Sequence, residues 1–142
     1  MKKLILMVGV PGSGKSTLCE KQFSSYTRVS QDELGNRDAC IKKCHELMEK
    51  KVDIIIDRTN INKKQRKYWI DLGLHYGYEI NCVVLIINEE EAIARIHNRN
   101  NHPTITKEMS LEKKKFIVYN FGREYEAPVL DEGFNSILFT RV

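Results

Sequence analysis

A chain of 142 residues, 42% hydrophobic and 30% charged, has the composition of one ordinary folded domain, large enough for a core and too small for a second catalytic module. Its four cysteines show no CxxC spacing, so neither a zinc site nor a redox motif is indicated; no apolar run approaches the roughly 20 residues that span a bilayer, and an intracellular, reduced setting is expected. The net charge of +4 is uneven: Arg37 to Lys67 holds ten Lys or Arg against five Asp or Glu, which is either a surface for a polyanion or a pair of solvated helix faces.

The first predicted strand, Lys3 to Val8, runs straight into a glycine-rich loop, which marks it as a strand and not a signal peptide. That loop, Gly9-Val10-Pro11-Gly12-Ser13-Gly14-Lys15-Ser16, is a complete GxxxxGKS phosphate-binding motif, and a helix follows over Lys15 to Phe23. Glycines let successive N–H groups turn inward around phosphate oxygens, and the helix points its positive end at the same anion. Lys15 would bridge the terminal phosphates and Ser16 would offer its hydroxyl to Mg2+, with Ser13 and Thr17 beside them. The strand, loop and helix together imply a nucleoside triphosphate as ligand, ATP or GTP.

The second strand, Thr27 to Ser30, ends in Gln31-Asp32-Glu33, and the third, Asp53 to Ile56, ends in Asp57-Arg58-Thr59-Asn60. Open α/β sheets bind ligands at the carboxyl ends of their strands, so an aspartate ends each of these strands beside the phosphate site. Asp32 either accepts the proton of an acceptor hydroxyl or caps the next helix, predicted over Asp38 to Lys50. Asp57 follows three isoleucines and either holds Mg2+ through water, as a Walker-B-like carboxylate, or forms a turn. Thr59 and Asn60 suit either purpose.

Helix signals continue over Lys63 to Tyr76, a strand over Glu79 to Ile87, and a helix over Glu89 to Asn98, with Asn88 as its cap and acids at its positive end. Arg95 and Arg99 fall four apart on one helical face, either closing over the phosphates as a lid or pairing with Glu91 at the surface. A polar loop, Asn98 to Thr106, precedes a helix over Lys107 to Tyr119 and a last strand over Ser136 to Phe139. The alternation predicts an α/β fold: a parallel five-stranded sheet with helices on both faces, one domain over residues 1–142.

The stretches GVPGSGKS, VSQDELG, IIDRTN, EAIARIHNR and FGREYEAPVLDEGFNSILF, in that order, resemble the polynucleotide 5′-hydroxyl kinase family, in particular its eukaryotic kinase/phosphatase branch and more distantly the bacteriophage one. The resemblance implies an adenylate-kinase-like P-loop fold that transfers the γ-phosphate of ATP to 5′-hydroxyl DNA or RNA ends. It implies Asp32 as general base, Lys15 and Ser16 as phosphate and Mg2+ contacts, and Arg99 and Arg95 as lid arginines. Two departures stand on the acceptor side, where the family carries arginine and this chain has Gln31 and Ala39; Arg37 and Arg58 lie nearby to compensate. No phosphatase part is matched, so 3′-end cleaning is not expected. The same loop and sheet also serve kinases of nucleosides, nucleotides and other metabolites, and nucleotide-controlled binding modules.

Overall fold

The computed structural model describes residues 2–10, 13–98 and 110–141. Its five strands are β1 (Lys3–Val8), β2 (Thr27–Ser30), β3 (Ile54–Asp57), β4 (Glu79–Ile86) and β5 (Ser136–Arg141). They form one parallel sheet in the order β2-β3-β1-β4-β5. The helices are α1 (Lys15–Gln22), α2 (Gln31–Leu34), α3 (Arg37–Glu49), α4 (Lys63–Tyr76), α5 (Glu89–Asn98) and α6 (Leu111–Glu124). Among the described residues no helix is long and apolar enough to cross a membrane.

β1 lies at the centre because Leu4 to Val8 are apolar on both faces, a pattern that needs cover on both sides. The two-residue period divides them. Leu4, Leu6 and Val8 pack with Cys40, Cys44 and Leu47 of α3 and with Trp69 and Ile70 of α4, while Ile5 and Met7 pack with Cys19 of α1. Helix α4 approaches so closely that a Cβ on Gly73 would lie 2.7 Å from Ile80 Cδ1 and 3.0 Å from Leu4 Cδ2, which explains a glycine in mid-helix despite its entropic cost. A third cluster joins Val10, Ala92 of α5 and Val118 of α6.

The predicted architecture is the observed one, with local corrections. β3 starts and ends one residue later than expected, because Asp57 joins the ladder opposite Ser30 while Asp53 leaves it to accept the Lys3 N–H at 2.9 Å. The short helix α2 was not anticipated; four residues carry no readable periodicity, and Gly35 at φ 93° ends it. α3 starts at Arg37 because Asn36 caps it, accepting from Ala39 N at 2.8 Å. α6 starts at Leu111 behind the cap Ser110, which accepts from Lys113 N at 3.2 Å, and it runs on to Glu124.

All four cysteines are free and buried. Burial pushes the thiols of Cys19, Cys44 and Cys82 up to about 12 and raises that of Cys40, so none supplies reactive thiolate near neutrality. Each raised thiol favours the fold fully below its ordinary range and loses that contribution as pH climbs toward about 12. A thiol-reactive chromophore at pH 8 should therefore label no cysteine in the native protein and all four in denaturant. Stoichiometric labelling of the native chain would show that one of these sites opens readily.

Candidate functional site

The chain leaves β1 for β2 on one side, and β4 lies on the other, so the carboxyl end of β1 is the switch point of the sheet. The phosphate loop lies there. Gly9 N–H donates to the Thr59 carbonyl at 3.2 Å, which ties the loop to the end of β3. Gly14, at φ 97°, caps α1 in a left-handed conformation that a side chain would strain. Lys15 Nζ donates back to the Gly9 and Val10 carbonyls at 2.9 and 3.1 Å, within the loop that would cradle the phosphates. Thr17 is exposed. Pro11 and Gly12 lie outside the described residues.

Asp57, 4% exposed at its side chain, ends β3 directly beside α1. Ser16 Oγ donates to Asp57 Oδ2 at 3.0 Å, so the two oxygens read from sequence as Mg2+ contacts meet. Arg28 on β2 joins both: Nε and Nη2 lie 2.7 and 2.6 Å from Asp57 Oδ2, and Nη2 donates to Ser16 Oγ at 3.0 Å. The far side of the same guanidinium, Nη1, reaches Glu33 Oε1 at 2.9 Å. Burial works against the Arg28 charge, but the Asp57 carboxylate outweighs it and holds the guanidinium above its ordinary pKa.

Arg28 was not among the residues read from sequence as functional. The available signal was periodicity: Val29 faces the α3 side, so Arg28 and Ser30 share the opposite face of an edge strand, where a charge needs a partner.

Asp32 is the second residue of α2, two positions past Ser30, which pairs with Asp57 across the β2–β3 ladder. Neither helix around it uses Asp32 as a cap, since Ser30 precedes α2 and Asn36 caps α3. The side chains of Asp32 and Arg95 lie outside the described residues, as does the whole of Arg99. Arg37 opens α3 with its guanidinium 4.4 Å from the centre of the Tyr68 ring, and Arg58 lies 5.7 Å from the centre of Trp69. Both arginines thus line the α3–α4 seam next to the end of β3.

Asn60 is turned inward, not toward an acceptor. It is 1% exposed at φ 48°, and its Nδ2 donates to the Met7 carbonyl at 2.7 Å. The turn-forming reading fits it. Arg66, fully buried, holds the Asn60 carbonyl at 2.9 Å and makes a two-pronged ion pair with Glu132 at 2.9 and 3.2 Å. On the other side of β1 an apolar cleft of ≈ 390 Å³ opens between Gly9, Val10, Ile87, Phe121, Tyr125 and Phe139. It would accept a flat ring next to the phosphate loop.

A family model described as AAA domain matches residues 4–39 and 37–116. The chain is 33% identical over 141 residues to the bifunctional polynucleotide phosphatase/kinase of Schizosaccharomyces pombe, covering 96% of this chain and 33% of that protein. It is 31% identical over 147 residues to a protein named transcription factor bHLH140 of Arabidopsis thaliana, covering 96% of this chain and 16% of that one. The chain thus spans a third or less of these relatives. A gluconokinase from Sinorhizobium meliloti superposes with a TM-score of 0.62 at 17% identity, over 99% of this chain and 82% of that one. The architecture is that of the P-loop kinases.

Proposed function

This chain belongs to the AAA-domain family, and on that premise we propose that it works as a single catalytic domain transferring the γ-phosphate of ATP to the 5′-hydroxyl end of a DNA or RNA strand. The observation that carries this reading is the backbone position of Asp32. It stands two residues beyond the Ser30–Asp57 pair, on the β2 side of the phosphate loop, and the cap of the following helix is Asn36. A carboxylate at that backbone position would orient an acceptor hydroxyl and take its proton. The acceptor class is supported by the likeness to a polynucleotide phosphatase/kinase along 96% of the chain.

In this reading donor and acceptor approach from opposite sides of β1. The purine lies in the apolar cleft by β4 and the triphosphate over Gly9 to Ser16, with Lys15 leaving its loop carbonyls for the phosphate oxygens. The acceptor oxygen bonds to the γ-phosphorus as the bond from that phosphorus to the β–γ bridging oxygen breaks; the acceptor proton goes to Asp32, and ADP departs. Arg95 and Arg99 would neutralise charge on the transferring group, and Arg37 and Arg58 the strand phosphates next to the reacting end.

Ser16 Oγ and Asp57 Oδ2, hard oxygens 3.0 Å apart, fit the donor set Mg2+ prefers. When bound, that ion would offset the charge of the phosphate oxygens.

The test is an acceptor panel of short 5′-hydroxyl DNA, 5′-hydroxyl RNA and a nucleoside 3′-monophosphate, with γ-labelled ATP and Mg2+ at low and high salt. Strands should take label at the 5′ end, at a rate that falls as salt rises. Equal labelling of the mononucleotide with no salt effect would assign the chain to small-molecule kinases instead.

A further inference from the structure

We propose that Arg28 is a built-in counter-cation, which holds the metal-binding oxygens of the nucleotide-free protein and must release them before a divalent ion loads. The inference rests on the reading of Ser16 and Asp57 as metal contacts. One atom of the guanidinium, Nη2, lies 2.6 Å from Asp57 Oδ2 and 3.0 Å from Ser16 Oγ, with those two oxygens 3.0 Å from each other. Adjacent corners of a Mg2+ octahedron, with ligands at about 2.1 Å, are themselves about 3 Å apart. The nitrogen therefore stands where the ion, or a water between ion and carboxylate, would stand. Two like charges do not share that position.

The arm also has somewhere to go. Its Nη1 already contacts Glu33, which is 61% exposed, whereas Asp57 is 4% exposed. Losing Asp57 as a partner leaves Arg28 an outer carboxylate, with its side chain a quarter exposed to solvent. Asp57, by contrast, sits on the buried side of the contact. A buried carboxylate without a cation is costly, so Arg28 and the metal exchange at one acceptor. Glu33 follows Asp32 in α2, so this exchange moves charge next to the candidate base as the metal arrives.

Mn2+ serves as the probe, titrated into nucleotide-free protein by the loss of its free-ion paramagnetic signal, with thermal melting in parallel. Arg28→Gln should bind Mn2+ roughly tenfold tighter than the parent, since a competing charge has been removed from the site. Without divalent ion this variant should melt below the parent, and Mn2+ should restore most of the difference while shifting the parent little. An arginine that only braces the fold would predict the loss without the rescue. Unchanged Mn2+ affinity, or no rescue of melting, overturns the proposal.

Adding Asp57→Asn should abolish the gain in Mn2+ binding. If the gain survives, the metal-contact reading is wrong. If Asp57→Asn alone weakens Mg2+-ATP binding and Arg28→Gln has no effect on Mn2+, only the Arg28 proposal falls. Should Arg28→Gln fail to fold, Arg28→Met keeps much of the length without the charge and should still bind Mn2+ more tightly than the parent; equal affinity counts against the proposal.

Discussion

Replacing Asp32 with asparagine is expected to lower kcat for transfer to a 5′-hydroxyl by about 10²–10⁴-fold while leaving ATP affinity unchanged, the range a positioned general base supplies. Asparagine keeps the size and planar shape but removes the negative charge and the ability to take a proton. The neighbouring carboxylate is a poor substitute, because Glu33 is engaged by Arg28 at 2.9 Å. In the proposed reading donor binding is carried by the loop from Gly9 to Ser16, on a different element, so affinity for ATP measured without acceptor should not move. Transfer by the variant at the parental rate would remove Asp32 from the chemistry; a parallel loss of ATP affinity would make it a donor contact.

The parts legible in the sequence were those whose causes are local. Thr27–Ser30, Lys63–Tyr76 and Glu89–Asn98 have the expected bounds; for the two helices the signals are local, Asn62 and Gly77 at the ends of one and Asn88 at the start of the other. The phosphate loop is one contiguous stretch, and Asp57 is marked by the isoleucines before it. Arg28 was illegible for the opposite reason. Ser16 and Asp57 are 12 and 29 residues from it, and Asp57 comes within reach only through the parallel register of β2 beside β3.

The C-terminal stretch Phe121 to Phe139, the longest of those that carry the resemblance, shows mainly structural work among the described contacts. Asn135 clasps both the N–H and the carbonyl of Ile80, Glu126 N–H donates to the Ile61 carbonyl, and Glu132 pairs with Arg66. Specificity of sequence there reflects long-range pairing, which a linear pattern signals without saying what is paired.

Truncating Arg66 should be among the most damaging single changes to stability. Its side chain is 0% exposed, its fork grips Glu132, which is 9% exposed, and its remaining nitrogen holds the Asn60 carbonyl. Arg66→Met leaves a nearly buried carboxylate without a cation and a buried carbonyl without a donor, a loss of about 3–5 kcal/mol. For a domain of this size that lowers the melting temperature on the order of 10 °C.

The double variant Arg66→Met, Glu132→Leu removes both charges and should recover much of the loss, because an apolar pair of similar volume carries no desolvation penalty. Denaturant melts of the two single variants and the double close the cycle; a single-variant cost below about 1 kcal/mol would mean the pair is no stronger than a surface one.

The consequence reaches the phosphate site through hydrogen bonds. Arg66 fixes the Asn60 carbonyl, Asn60 fixes the end of β1 at Met7, and neighbouring Thr59 accepts from Gly9. Below its melting temperature Arg66→Met should therefore raise KM for ATP more than it changes kcat, separating a loosened donor loop from a lost catalytic group.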